Sequence, residues 1–466
     1  MSNKLSRRNF LKLTGGALGV GALAACAPAT TEIPSDADTA GLTAERGSLW
    51  VLLKKDFHPD YNEWLRVKVT EYAEGEGWDI EIADMAGFAS GSGEVEKLAA
   101  AVQAGDPPDL VNHDAFSSPQ VNNLGLVQTV SDLVEEVEAV FGPAAPYLYD
   151  IHIIDDEWQV VPYHQRAGGG YYRRDAFDEA GIDLQEIRTY DVLREATLEV
   201  SDPDNEFYGW GITVNRSGDG NSIINRIKTG FGAGWQDETG QYIRTNSPEM
   251  IDAMNFLKET YTNEKWAPML PPGILAWNDT SNNEAYLGSV IGYTENAGTV
   301  YAKAVVDGNP VAEQTNYLKP PGGPVNQEFQ TMGSKNWYLL TGAKNPDAAR
   351  QMIIAFTADL AMQDEMLASS PAYAIPAYTD LWDMSEFVGT NEIASQMKSA
   401  ALDDSGINAE TWPGPPSAAM TALNESGIWN DMVNSIVTGT PVEEAVAEAH
   451  DRMVLVFKEF GLPGEE

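Results

Sequence analysis

Seventy acidic side chains against 29 basic ones make the carboxylate the commonest reactive group of this 466-residue chain. Two carboxylates at a set separation would serve a glycosidase as acid and as base or nucleophile. Among seventy, such pairs arise by chance, and no pair is singled out by its sequence context. The other reactive groups are few. His58, His113, His152, His164 and His450 show no metal-ligand spacing. Gly-x-Ser-x-Gly, His-Glu-x-x-His and the Walker loop are all missing. DPDNEF at 202–207 begins like a calcium loop but lacks glycine at the sixth place. A secreted hydrolase therefore has no motif to rest on. The sequence predicts binding without catalysis, a metal or a cofactor.

The one cysteine, Cys26, has no partner for an intramolecular disulfide. It closes the stretch SRRNFLKLTGGALGVGALAAC; Lys4 just before it and Arg7, Arg8 and Lys12 within it supply positive charge at the start of a Gly- and Ala-rich apolar run. That run is about fifteen residues long, short of the roughly 20 needed to span a bilayer. A basic start, a short apolar segment and small residues before a cut are the three parts of an export signal. Ser-Arg-Arg-x-Phe-Leu-Lys resembles the twin-arginine signal. Leu23-Ala24-Ala25-Cys26 looks like a bacterial or archaeal lipobox, which implies cleavage before Cys26 and a lipid on its sulfur. Residues 1–25 are read as a signal peptide and 26–46 as a lipidated flexible tether. The expected location is the outer face of the cytoplasmic membrane, at the cell surface or in a periplasm.

A formal charge of -41 should repel nucleic-acid phosphates, so no nucleic-acid partner is expected. It favours solubility and resists self-association, which predicts a monomer. Acid excess with few lysines also resembles proteins adapted to high salt. Hydrophobic residues at 43%, with 12 Trp and 18 Tyr, suffice for large cores. The length predicts two or three domains.

From Ser48 onward, strand and helix patterns alternate. SLWVLL at 48–53 reads as a buried strand. Pro59 suits the first turn of a helix whose face carries Tyr61, Leu65, Val69 and Tyr72. WDIEIADM at 78–85 alternates like a strand, and 93–105 places Val95, Leu98 and Val102 on one helix face before Gly105. Later helices carry start signals: Ser247 with Pro248, Asn345 with Pro346, and Thr440 with Pro441. The alternation predicts an α/β fold, a sheet with helices on its faces.

In this order the segments resemble the extracellular solute-binding proteins of ABC importers, specifically the large sugar-binding group. The resemblance is carried by LAAAVQAGDPPDLVNHD (98–114), EWQVVPYHQRAGGGYYRRDAFDEAGID (157–183), NNEAYLGSVIGYTENAG (282–298), YLKPPGGP (317–324) and NWYLLTGAKNPDAARQMIIAF (336–356). It implies a two-lobed periplasmic-binding-protein fold with multiple inter-lobe crossings and a ligand cleft between the lobes. Crossings are expected near 163–167, 332–336 and 371–374. One α/β lobe then takes 47–163 plus 334–371, and the other takes 168–331 plus 374–466. Gly168, Gly169, Gly170 and Gly333 would permit hinge rotation.

The same resemblance nominates the cleft residues. They are Asp56 and Phe57 after the first strand; Asn112, His113 and Asp114 after the next; His164 and Arg166 in the first crossing; and Glu295 and Asn296 in TEN. Trp337, Trp412, Trp235 and Trp277 are the aromatic candidates. Forked polar groups would bond neighbouring sugar hydroxyls, and flat rings would cover C–H faces. Many relatives carry an aromatic pair just after TEN, whereas Ala297, Gly298 and Thr299 follow here, which leaves the sugar's size open. The implied function is capture of a small solute, a carbohydrate, for delivery to ABC permease subunits. A same-fold binder of a peptide, polyol or metal is the alternative, with the hydrolase behind it.

Overall fold

The computed structural model describes residues 48–465, apart from 57, 86–93, 115, 167 and 331. The signal, the tether, Cys26 and Phe57 lie outside the described residues.

Twelve strands are present among the described residues: β1 (Leu49–Lys54), β2 (Ile80–Met85), β3 (Leu110–His113), β4 (Ile153–Ile154), β5 (Glu157–Trp158), β6 (Val161–Arg166), β7 (Gly169–Arg173), β8 (Tyr208–Trp210), β9 (Ile291–Asn296), β10 (Thr315–Leu318), β11 (Gly333–Leu339) and β12 (Ala374–Ile375). A six-stranded sheet runs β12-β6-β11-β3-β1-β2, and a four-stranded sheet runs β10-β7-β9-β8. β1 pairs in parallel with β2 and β3, while β11 pairs antiparallel with β3 and β6. In the second sheet β8 and β9 are parallel, and β7 is antiparallel to β9 and β10. β4 and β5 form a separate ribbon.

The six-stranded sheet is covered on both faces, as parallel strands require. Leu49, Val51, Leu53, Trp337 and Leu339 face one core with Tyr61, Leu65 and Phe356. Val111, Tyr338 and Leu340 face another with Val95, Leu98 and Phe116. The second lobe has its own core around Trp210, Trp235, Trp429, Leu257 and Phe457.

Local punctuation follows the sequence in part. Helix Pro59–Gly75 begins at Pro59, and Ser247 accepts from the Met250 amide at 3.2 Å to cap Pro248–Thr262. Asn345 stands before helix Pro346–Thr357 without capping it. Its amide group reaches the Ser48 carbonyl (3.1 Å) and Asp109 instead. Asp109, from the DPPD turn, is buried and also accepts from the Trp50 amide, so one carboxylate ties three segments together. Thr440 is not a cap either: helix Val442–Glu459 starts from Pro441.

Two expectations about the junction are corrected. The third crossing does not fall at 371–374. β12 adds to β6 at the edge of the first sheet, and the amides of Ala145 and Thr379 exchange bonds with the carbonyls of Ala377 and Pro143. Ser385 still bonds Asp364 of the first lobe, and bonds to the second lobe follow later, from Lys319 to Asp403 and from the Gln330 amide to the Ile407 carbonyl. Residues 374–385 therefore stay with the first lobe. Gly169 and Gly170 serve close packing: a Cβ there would lie 2.1 Å from the Tyr317 ring and 2.4 Å from the Tyr293 hydroxyl.

Candidate functional site

In open α/β sheets ligands bind at the carboxyl ends of parallel strands. In the first lobe those ends are Lys54 and His113, with Asp114 next in the chain. Arg166 is the last residue of β6 before the first crossing, and its register partners are Gly333 and Ala374. The first two crossings thus meet strand β12 beside one arginine.

Five charged side chains gather there. Lys335 pairs with Asp56, whose other oxygen accepts from the Tyr373 hydroxyl at 2.8 Å. Lys54 and Arg166 both pair with Asp114, on different oxygens, with Arg166 Nη1 at 2.7 Å. Burial opposes ionisation of Asp114, but Arg166 and Lys54 outweigh it and hold the carboxyl well below its usual range. Burial likewise opposes the charge of Arg166, and Asp114 outweighs it, so its pKa rises.

The histidines do not join this cluster as ligand groups. His164 is fully buried, with Nδ1 2.8 Å from the Gln165 carbonyl and Nε2 3.0 Å from the Tyr61 hydroxyl. Burial, with Lys335 nearby, pulls its pKa down to about 4, so it is a neutral bracket beneath the cluster. His113 stacks on Phe116 and meets Glu94 at 3.1 Å. Asn112 is also buried, in register with Leu53 and Trp337, and its Nδ2 lies 3.5 Å from the Asn336 carbonyl.

The second lobe brings its own polar set to the end of β9. Glu295 pairs with Arg226 and accepts from the hydroxyls of Tyr190 (2.8 Å) and Tyr293 (3.2 Å). Asn296 donates to Asn283 Oδ1 at 2.7 Å and lies 3.5 Å from Asp219. Asp219, in the first turn of helix Gly218–Gly230, accepts from Asn282 at 2.8 Å. Burial and the neighbouring Asp279 push its carboxyl up to about 8. Lys228 lies further along that helix and donates to the Trp412 carbonyl at 3.2 Å. Burial draws its pKa down to about 7.

The tryptophans divide. Trp337 is fully buried against Tyr163 and Phe356, and Trp235 is fully buried with its ring stacked on Trp429, 5.0 Å between centroids. Both are core residues, correcting their nomination as platforms. Trp277 is half-buried where the two cores meet. Trp412 is half-buried, and its backbone carbonyl accepts from Lys228, whose Nζ also lies 5.4 Å from the centroid of the Trp235 ring. Lys54, Lys335, Tyr373, Asp219 and Arg226 were not nominated. Lys54 ends its strand and Asp219 follows a Ser-Gly helix start, but nothing local marks Lys335, Tyr373 or Arg226. The lobes also touch away from the crossings, where Thr421 Oγ1 lies 2.8 Å from Ser117 Oγ.

Two α/β lobes with polar side chains from each at the strand ends, and a chain passing repeatedly between them, define a two-lobed binding protein. The chain belongs to the bacterial extracellular solute-binding protein family, whose model matches residues 58–362. That makes it an exported solute-binding protein rather than an enzyme. Among curated relatives, an arabinooligosaccharide-binding protein of Halalkalibacterium halodurans is 27% identical over 177 residues, 38% of either chain. A mannitol-binding protein of Pseudomonas aeruginosa is 32% identical over 82 residues, 17% of this chain and 19% of that one. The chain thus matches well under half the length of these two relatives. Among solved structures, a solute-binding protein of an ABC transporter from Thermotoga lettingae, bound with α-D-tagatose, superposes with a TM-score of 0.72 at 15% identity. That match covers 88% of this chain and 100% of the other.

Proposed function

We propose that the protein captures a sugar or polyol between its lobes outside the cytoplasmic membrane and delivers it to an ABC permease. One observation carries this reading: in each lobe, charged and amide side chains gather at the carboxyl ends of the parallel strands, beside the places where the chain crosses. Arg166, Asp219, Asn296 and Trp412 are the side chains we assign to ligand contact; Asp56, Asp114 and Glu295 hold their neighbours through ion pairs. Relatives described as binding mannitol, tagatose and arabinooligosaccharide support the carbohydrate class. Closure of the lobes around the solute would present the permease with a shape that the open form lacks.

The remaining elements of the proposal come from the N-terminal sequence and the charge. The chain is a monomer, held by lipid on Cys26 after removal of residues 1–25, with residues 26–46 as tether. One acyl chain anchors only marginally, so at least two are expected. Intact mass of the native protein tests this: a retained signal or an unmodified Cys26 overturns the anchoring.

The solute is tested by thermal unfolding against a panel of sugars, polyols, amino acids and peptides. A ligand at 100 times its Kd stabilises by about 2.7 kcal/mol. That is a shift of several degrees, at roughly 2–4 °C per kcal/mol. A response confined to peptides or amino acids overturns the carbohydrate reading, and consumption of a sugar overturns pure binding.

A further inference from the structure

We propose that the captured solute is an acidic sugar, its anionic group seated on Arg166 and Lys54. The inference rests on the carbohydrate reading of the cleft and narrows it. It starts from a count of charge around Arg166. Lys335 and Asp56 neutralise each other in a pair closed to solvent, their side chains 0% and 4% exposed. Asp114, 1% exposed, is then the one carboxylate for two cations, and both its oxygens are taken. One positive charge is left over. The next carboxylate, Glu94, faces His113 rather than either cation. In a chain of net charge -41, a surplus cation at a buried site is the opposite of what composition would place there.

The geometry locates the surplus. Arg166 is the most open of the five, its side chain 29% exposed. Asp114 engages Nη1, whereas Nε is buried and has no hydrogen-bond partner. An unpaired buried N–H on a guanidinium costs free energy that a ligand acceptor would recover. The Nε–Nη2 edge matches the two oxygens of a carboxylate or phosphate in a fork. Gly333 packs against that edge, where a Cβ would stand 2.7 Å from Nη2 and 3.2 Å from Nε. A neutral hydroxyl could accept from Nε but would leave the extra charge without a counterion.

The test is calorimetric titration of the purified protein with matched sets: a neutral hexose or hexitol, the corresponding uronate or aldonate, and the corresponding sugar phosphate. We expect an acidic member to bind about tenfold tighter or better than its neutral counterpart, the increment of a charge-assisted hydrogen bond. Whether carboxylate or phosphate wins identifies the anion, and either supports the proposal. Arg166→Gln leaves Asp114 balanced by Lys54 alone and should bring acid and neutral forms to similar affinity. The wild-type comparison decides even if that variant fails to fold. A neutral sugar binding as tightly as its acid overturns this inference and leaves the carbohydrate reading standing. Failure of every set to bind overturns both.

Discussion

Ser117 occupies the N-cap of helix Ser118–Asn123, yet its hydroxyl does not cap that helix; it lies 2.8 Å from Thr421 Oγ1 on the other lobe. Thr421 sits in helix Ala418–Ser426, so the bond joins two helix starts across the gap between lobes. It exists only while the lobes are together.

Thr421→Val keeps the shape and removes the bond. A neutral hydrogen bond is worth about 0.5–1.5 kcal/mol net, so solute affinity should weaken roughly two- to tenfold with little change in unfolding temperature. Small-angle scattering should show a larger radius of gyration at the same solute concentration. Unchanged affinity would mean that this contact does not belong to the ligand-bound state.

The Lys335–Asp56 pair should behave differently, because it lies inside one lobe and is sealed from water. Lys335→Met leaves a buried carboxylate with only the Tyr373 hydroxyl, a loss of about 3–5 kcal/mol. Lys335→Met with Asp56→Asn removes the orphan charge and should recover much of that loss. Urea midpoints of the two variants make the comparison. A single variant within about 1 kcal/mol of wild type would show that water reaches the pair.

That pair also marks where sequence reading stops. Strand β1, the helix opened by Pro59 and the Ser247 cap were legible because their signals are local: an apolar run, a fixed φ, a side chain three residues from the amide it accepts from. Asp56 and Lys335 stand 279 residues apart, and nothing near either names the other. Trp337 fails for another reason. Along β11 and the residue after it, Trp337 and Leu339 face one core while Tyr338 and Leu340 face the other, so alternation carries no polar beat to tell inside from cleft. The late crossing was hidden too, since β12 is only two residues long.

The core assignment of Trp337 has its own consequence. Trp337→Ala should cost about 3–5 kcal/mol of stability, as large aromatic truncations do, while the folded fraction keeps its solute affinity. Trp412→Ala, half-buried beside Lys228, should cost less stability and more affinity. Denaturation and titration on both variants read the two quantities separately. Lost affinity in a stable Trp337 variant would return that ring to the cleft.

Asp219 and Lys228 lie on one helix and should give stability two opposite pH dependences. In an unfolded chain a carboxyl titrates near 3.9, whereas burial and Asp279 push Asp219 up to about 8. The folded state therefore prefers the neutral acid. Below about pH 4 there is no penalty; it grows as pH rises through the interval and is complete above about 8. Burial draws Lys228 down to about 7 from an unfolded value near 10.4, so its penalty is absent at high pH and grows as pH falls toward 7. Asp219→Asn keeps an acceptor for Asn282 and removes the first effect. Its Tm should exceed wild type at pH 8 and converge on it near pH 4. Lys228→Met should exceed wild type near pH 7 and converge above about pH 10. Tm differences that stay flat with pH would mean that neither group is held from its ordinary ionisation.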